Sequence, residues 1–199
     1  MKVVALVALS DFPYWKMCME KLREQADEIC VRIDDTKENK YEELMDSKLA
    51  DRVMRSNVVW NRYNWRNELL RMIDDTIQDI VLIPDHDEIY EDTISDEIID
   101  FYNSGKDMMF FDFITMTNDG REIPELNGRA YPSIPHCSAF RWIEGLTYFP
   151  YCGVAMPTNY AAVPDNRYHA VTKIKHYCMW TKELEEAKKK WVMEEYGCF

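Results

Sequence analysis

Asp79-Ile80-Val81-Leu82-Ile83-Pro84-Asp85-His86-Asp87-Glu88 joins a short apolar run to a proline and then to an Asp-x-Asp pair. The run is β-branched in part and closed by a residue with no amide hydrogen to give, so it predicts a buried strand that stops at Ile83. In open α/β sheets, ligands bind beyond the carboxyl ends of the strands, which is where the two aspartates then fall. Residues two apart in an extended segment point the same way, so Asp85 and Asp87 are expected to face one cation. A hard divalent ion, Mn²⁺ or Mg²⁺, accepts carboxylate and diphosphate oxygens together and would bridge an acidic protein to an anionic ligand. Glu88 adds another carboxylate behind that pair or toward a second substrate. The plain alternative is a solvated acidic turn, because short acidic motifs recur by chance.

Working outward, Val3 to Leu9 is continuously apolar, as expected for a strand covered on both faces of a parallel sheet. A helix should follow, with Ser10 or Asp11 as its cap, Pro13 in its first turn, and Trp15, Met19, Leu22 and Ala26 on one face. Glu28 to Asp34 predicts a second strand ending in the polar turn Asp34-Asp35-Thr36. A charged helix from Tyr41 to Leu49 and a short strand from Arg52 to Arg55 come next. Trp65, Leu69, Met72 and Ile73 make an amphipathic helix leading into the Asp79–Ile83 strand. Ile94, Ile98, Phe101 and Tyr102 mark another helix, with a strand over Met108 to Phe113. Strands alternating with helices of this length imply a parallel sheet wound by right-handed crossovers, so the first half is Rossmann-like. From Asn118 to Ala170 six prolines break the pattern into pieces that suit hairpins and long loops. Val171 to Tyr177 predicts one more strand, and Thr181 onward a closing helix on which the basic run Lys188 to Lys190 is a solvated face.

A chain of 199 residues with 47% apolar content has enough length for one compact domain with a substantial core. Its net charge of -12 argues against nucleic acid as a partner, since that binding rests on Lys and Arg neutralising phosphates. The six cysteines form no CxxC pair, so reduced, buried thiols are the expectation. The longest apolar run, Val3 to Leu9, is too short to cross a bilayer and has no small-residue cleavage site after it. No transmembrane segment is expected, and a cytoplasmic location is.

The run from Trp60 to Tyr90, with Arg66-Asn67-Glu68-Leu69-Leu70 followed by the Asp79–Glu88 stretch, resembles the family-2-like GT-A glycosyltransferases. There an Arg-Asn helix precedes a strand ending in a DxD or DxDE signature. The resemblance implies an α/β, GT-A (Rossmann-like) fold, with a mixed, mainly parallel sheet flanked by helices in a single domain over 1–199. Residues 1–115 would form the nucleotide-sugar-binding half, and 116–199 the acceptor-side half and closing helix. Its compactness is similar to that of small transferases encoded by large DNA viruses, which would place it in a host cytoplasm. The implied activity is sugar transfer from a nucleotide-sugar donor, UDP-sugar favoured, to a glycan or other hydroxyl acceptor. Carried over, Asp87 resembles the principal metal ligand, and Asp85 the carboxylate that contacts the donor ribose or reaches the metal through water. Asp34 or Asp35 matches the acidic residue that holds the nucleoside, although either also suits a helix cap or Asx-turn. Arg66 resembles the arginine near the nucleotide, with Asn67 bracing that turn, and His176 matches a third metal ligand. His86 should point away from the metal, while His136 and His169 have no assignable partner.

The pattern departs from the family on the acceptor side. Related sequences place a His-Glu pair after a stretch like Phe140-Arg141-Trp142 and an aromatic strand, whereas here the region reads Gly153-Val154-Ala155-Met156-Pro157. The general base, and with it inversion or retention, is left open. Asp112 and Asp165 are the candidates, and both also suit turns. Trp142, Tyr148, Tyr151 and Tyr160 can stack on an acceptor sugar or simply fill the core. Two rivals stand beside the transferase: a metal-dependent phosphohydrolase or phosphotransferase using Asp85 and Asp87, and a non-catalytic nucleotide-sugar-binding domain.

Overall fold

The computed structural model describes residues 1–9, 13–34, 38–57, 62–73, 78–90, 94–117, 120–122, 125–126, 129–130, 136–148, 166–179 and 182–183. In chain order the first half holds β1 (Val3–Leu9), α1 (Trp15–Arg23), β2 (Glu28–Asp34), α2 (Glu38–Ser47), β3 (Arg52–Ser56), α3 (Arg62–Arg71), β4 (Ile80–Leu82) and β5 (Glu88–Ile89). The remainder holds α4 (Ile94–Ser104), β6 (Met108–Phe111), β7 (Phe113–Thr117), β8 (Glu125–Leu126), β9 (Arg129–Ala130), β10 (His136–Arg141), β11 (Arg167–His169) and β12 (Ile174–Met179).

Seven strands form the central sheet in the order β11-β6-β10-β4-β1-β2-β3. β1 to β4 are parallel neighbours and β11 is parallel to β6, whereas β10 runs antiparallel to both β4 and β6. This is a mixed, mainly parallel α/β architecture, and its parallel part is what the alternation of strands and helices predicts. The sheet is covered on both faces, which is why β1 is apolar and buried at every position. Val3, Ala5, Val7 and Leu9, with Ile29, Val31 and Ile33, pack with residues of α1, α2 and α4. Val4, Leu6, Ala8, Cys30 and Val81 pack with Trp65, Leu69 and Leu70 of α3. Burying one such aliphatic side chain contributes roughly 1.5–3 kcal/mol, so this double-sided strand is a main source of stability. α1 turns Trp15, Cys18, Met19 and Leu22 inward, at the spacing expected of an amphipathic helix.

The α3 face also carries a charge. Arg32 of β2 is 1% exposed, and its Nε donates to Glu68 Oε2 of α3 at 2.7 Å. Ser56 Oγ at the end of β3 donates to the same carboxylate at 2.8 and 3.0 Å, so three elements meet on Glu68. Arg141, at the end of β10, closes α4. Its Nε donates to Lys106 O at 2.6 Å and its Nη2 to Tyr102 O, beyond which Gly105 turns the chain at φ +71°.

Several elements differ from expectation. Tyr14, with no side-chain cap bond, stands at the N-cap of α1, and Ser10 and Asp11 lie outside the described residues. The strand expected over Met108–Phe113 divides at Asp112: β6 belongs to the central sheet, while β7 joins a second sheet of order β5-β12-β7. Ile174 N donates to Asp112 O at 3.0 Å at that joint. The expected final strand begins at Ile174, with Val171 89% exposed, because Glu97 of α4 holds a turn there by accepting from Val171 N and Thr172 N at 2.7 and 2.9 Å. β10 and β11 were hidden within the proline-broken region, which also contains the β8–β9 hairpin. Of the closing helix expected from Thr181 onward, Lys182 and Glu183 are described and helical, and the rest, with its basic run, lies outside the described residues. No helix among the described residues is long and apolar enough to cross a membrane.

Candidate functional site

The winding of the central sheet reverses at β1, which has β2 and β3 on one side and β4 on the other. Loops leaving the strands diverge at such a switch point, where ligands of open α/β sheets bind. Asp85 stands at this place, joined to Ala8 of β1 by an isolated parallel bridge. Beyond it the chain does not stay extended. Glu88 N donates to Asp85 O at 3.1 Å, making a turn, so the two-residue alternation does not govern where Asp85 and Asp87 point. Tertiary partners do.

Asp85 Oδ1 lies 3.8 Å from Arg66 Nη2 of α3. Asp87 Oδ2 lies 3.4 Å from His176 Nε2 of β12, and Tyr177 N donates to Asp87 O at 2.8 Å. His176 reaches that position because β12 pairs antiparallel with β5, with His176 opposite Glu88, and parallel with β7. The Phe113 ring sits 5.2 Å from the imidazole, centroid to centroid. His86, between the two aspartates, lies against the main chain of β1, with Nδ1 3.1 Å from Ala8 O.

Asp34 ends β2 on the same edge of the sheet, separated from β4 only by β1. Two strand spacings put it about 10 Å from the Asp85 side of the sheet. Asp112 lies at the β6–β7 joint, half-buried. Asp35 and Asp165 lie outside the described residues. The structure therefore brings Arg66 to Asp85 and His176 to Asp87, and sets Asp34 along the same edge.

Beneath this shelf, Glu88 is 5% exposed and accepts from the Tyr90 hydroxyl at 3.4 Å. Burial lifts the Glu88 carboxyl well above the usual carboxylate range; the Asp85 and Asp87 charges push the same way and His176 opposes them. The Cys18 thiol is raised by burial and then by Asp87 and Glu88, so it stays protonated and inert. Asp87 and His176 supply one carboxylate and one imidazole at contact distance. Among the described residues, no group of three or more His, Cys, Asp or Glu is arranged to hold a metal ion. Such a donor set fits a cation that draws the rest of its shell from phosphate oxygens and water, as Mg²⁺ and Mn²⁺ do, and does not fit a cage made wholly of protein.

Arg66 is 7% exposed, with its guanidinium carbon 4.8 Å from the Trp65 ring centroid and 5.5 Å from that of Tyr148. The neighbouring Asn67 clasps the backbone of Tyr148 in both directions, Nδ2 donating to Tyr148 O at 2.8 Å and Oδ1 accepting from Tyr148 N at 2.7 Å. Arg66, Asn67 and Glu68 thus grip three different parts of the fold.

No protein-family model matches this chain, and no curated protein does. Solved structures do match. The bifunctional IspDF from Campylobacter jejuni aligns over 87% of this chain and 50% of its own, at 10% identity and a TM-score of 0.53. The likeness is one of fold. TarS 1–349 from S. aureus aligns over 63% of this chain and 39% of its own, at 19% identity and a TM-score of 0.44. The same protein in complex with UDP-GlcNAc aligns over 66% and 37%, at 18% identity and a TM-score of 0.45. The chain spans no more than half the length of these structures.

Sequence reasoning missed the clasp on Tyr148, because nothing in a one-dimensional pattern links residues 81 apart. It also passed over Arg32, although a single charge inside Ile29-Cys30-Val31-Arg32-Ile33 is itself a signal that a buried partner must exist.

Proposed function

We propose that this chain is a metal-dependent glycosyltransferase that moves a sugar from a nucleotide-sugar donor, a UDP-sugar in the favoured case, to a hydroxyl of a glycan or other acceptor. The observation that carries the reading is the pairing of Asp85 with Arg66 and of Asp87 with His176 at the carboxyl edge where the sheet changes direction. Asp87 and His176 would hold Mn²⁺ or Mg²⁺, which when bound supplies positive charge against the donor diphosphate. Asp34 accepts hydrogen bonds from ribose hydroxyls or a base N–H, with Asp35 beside it in sequence. Arg66, kept in place by its stacking and by Asp85, offers a fixed positive charge to the nucleotide, and Asp85 accepts from the ribose on its exposed side. As an acceptor oxygen bonds to the anomeric carbon, the bond from that carbon to the diphosphate breaks and negative charge collects on the departing oxygen. Asp112, carried on the β6–β7 joint, and Asp165 are the carboxylates proposed to take the acceptor proton.

The test is incubation with a panel of UDP-, GDP- and dTDP-sugars, with and without Mn²⁺, following release of the nucleoside diphosphate. A shared fold does not choose among group transfers, so pyrophosphate release from nucleoside triphosphates is followed in parallel. Metal-dependent UDP release supports the reading. Binding without turnover of any donor makes the chain a nucleotide-sugar-binding domain, and release of inorganic phosphate alone makes it a phosphohydrolase.

A further inference from the structure

The loop after β10 returns to α3 and is held there by a side-chain clasp on its backbone. Gly145, at φ +80°, turns the chain so that Tyr148 returns to α3, where Asn67 satisfies both its backbone N–H and its carbonyl. The Tyr148 ring then covers one side of the Arg66 guanidinium, with Trp65 also in stacking range. The Tyr148 side chain is 4% exposed, yet its hydroxyl has no hydrogen-bond partner among the described residues. Arg66 Nε is likewise buried without a partner among them. Among the described residues, then, neither the hydroxyl nor Nε fixes its side chain by a hydrogen bond: the ring is placed by the clasp on its backbone, and the guanidinium lies against the ring and beside Asp85. A desolvated cation–π contact of this kind has both the strength and the direction to hold an arginine head in one orientation.

We propose that Tyr148 and Asn67 are positioning residues that aim Arg66 at the donor nucleotide, so that the loop after β10 sets donor affinity through α3. The proposal rests on the reading of Arg66 as a nucleotide-contacting residue. It assigns the working part of Tyr148 to the ring and gives its hydroxyl no part in binding.

The experiment is a calorimetric titration of UDP in the presence of Mn²⁺ into the wild type, R66A, Y148F, Y148L, N67A and the double variant R66A/Y148L, each first checked for a cooperative thermal transition. R66A should bind roughly tenfold to a hundredfold more weakly, the range for a charge-assisted hydrogen bond. Y148L should lose about tenfold, and N67A, which removes the clasp without emptying the core, should lose affinity in the same direction. Y148F, which keeps the ring, should restore wild-type affinity. R66A/Y148L should bind no more weakly than R66A, because the tyrosine acts only through the arginine. Wild-type affinity in N67A and in folded Y148L, beside a weakened R66A, overturns the positioning role while leaving the donor-site reading intact. Equal loss in Y148F and Y148L also overturns it, since the hydroxyl would then be the binding group. Failure of the wild type to bind UDP, and GDP and dTDP titrated in the same way, removes both readings together.

Discussion

Neutralising Glu68 should be among the most damaging single changes outside the apolar core. Arg32 is 1% exposed and cannot shed its proton, so its charge must be met inside the protein. Glu68 meets it at 2.7 Å while accepting from Ser56 on both carboxylate oxygens. Glu68→Gln keeps the shape and one acceptor oxygen but removes the charge. Breaking a buried pair from one side costs about 3–5 kcal/mol, and the retained acceptor places Gln at about 3 kcal/mol. For a chain of this length that is a fall of roughly 6–12 °C in melting temperature. Urea unfolding gives the free energy directly, with an unchanged m-value showing that only stability has moved. Replacing both partners, R32M with E68L, removes charge and counter-charge together and should return stability to within about 1 kcal/mol of the wild type. An E68Q protein as stable as the wild type would refute the reasoning, because it would mean that water already screens Arg32.

Two further outcomes follow from the same physics. Burial raises the Glu97 carboxyl, but hydrogen bonds from Thr172 N, the Tyr168 hydroxyl and Val171 N outweigh it and leave the group below its ordinary 4.5. A depressed carboxyl contributes stability above its unfolded value that is lost as pH falls through the folded one, so the difference between wild type and E97Q should be full at pH 7 and shrink below pH 4.5. Chemical denaturation across that range measures it, and a constant difference would contradict the assignment. R141K should lose about 2 kcal/mol despite keeping the charge, because one ammonium cannot meet the Lys106 and Tyr102 carbonyls with a planar pair of donors while stacking on the Tyr102 ring. A thermal shift indistinguishable from zero would show that the geometry is dispensable.

The parallel core was legible in the sequence because each of its strands obeys a local rule. Val3–Leu9 and Ile80–Ile83 are apolar without alternation, and only a strand covered on both faces is selected for that. β10 and β11 were not legible, since Ser138 and the exposed residues of Arg167–His169 carry no period that separates strand from loop. Asp112 illustrates the same limit. Met108 to Phe113 is one apolar run in one dimension, and only the pairing of Ile174 with Phe113 decides that the chain leaves one sheet for another there. At the candidate site, the Asp-x-Asp pair and His176 were readable as residue types on a strand edge. That His176 stands against Asp87 in particular depends on the register of β12 with β5, which no local pattern encodes. The turn at Asp85 likewise replaced the extended geometry from which a shared direction had been inferred.

The central claim concerns a divalent cation shared between Asp87, His176 and a nucleoside diphosphate, and titration of UDP into wild-type protein and D87A, each with Mn²⁺ and with chelator, tests it most directly. The account predicts tight binding only for the wild type with Mn²⁺, and a loss on chelation that D87A reproduces and that chelation of D87A does not deepen. UDP affinity that is the same in all four titrations would contradict it.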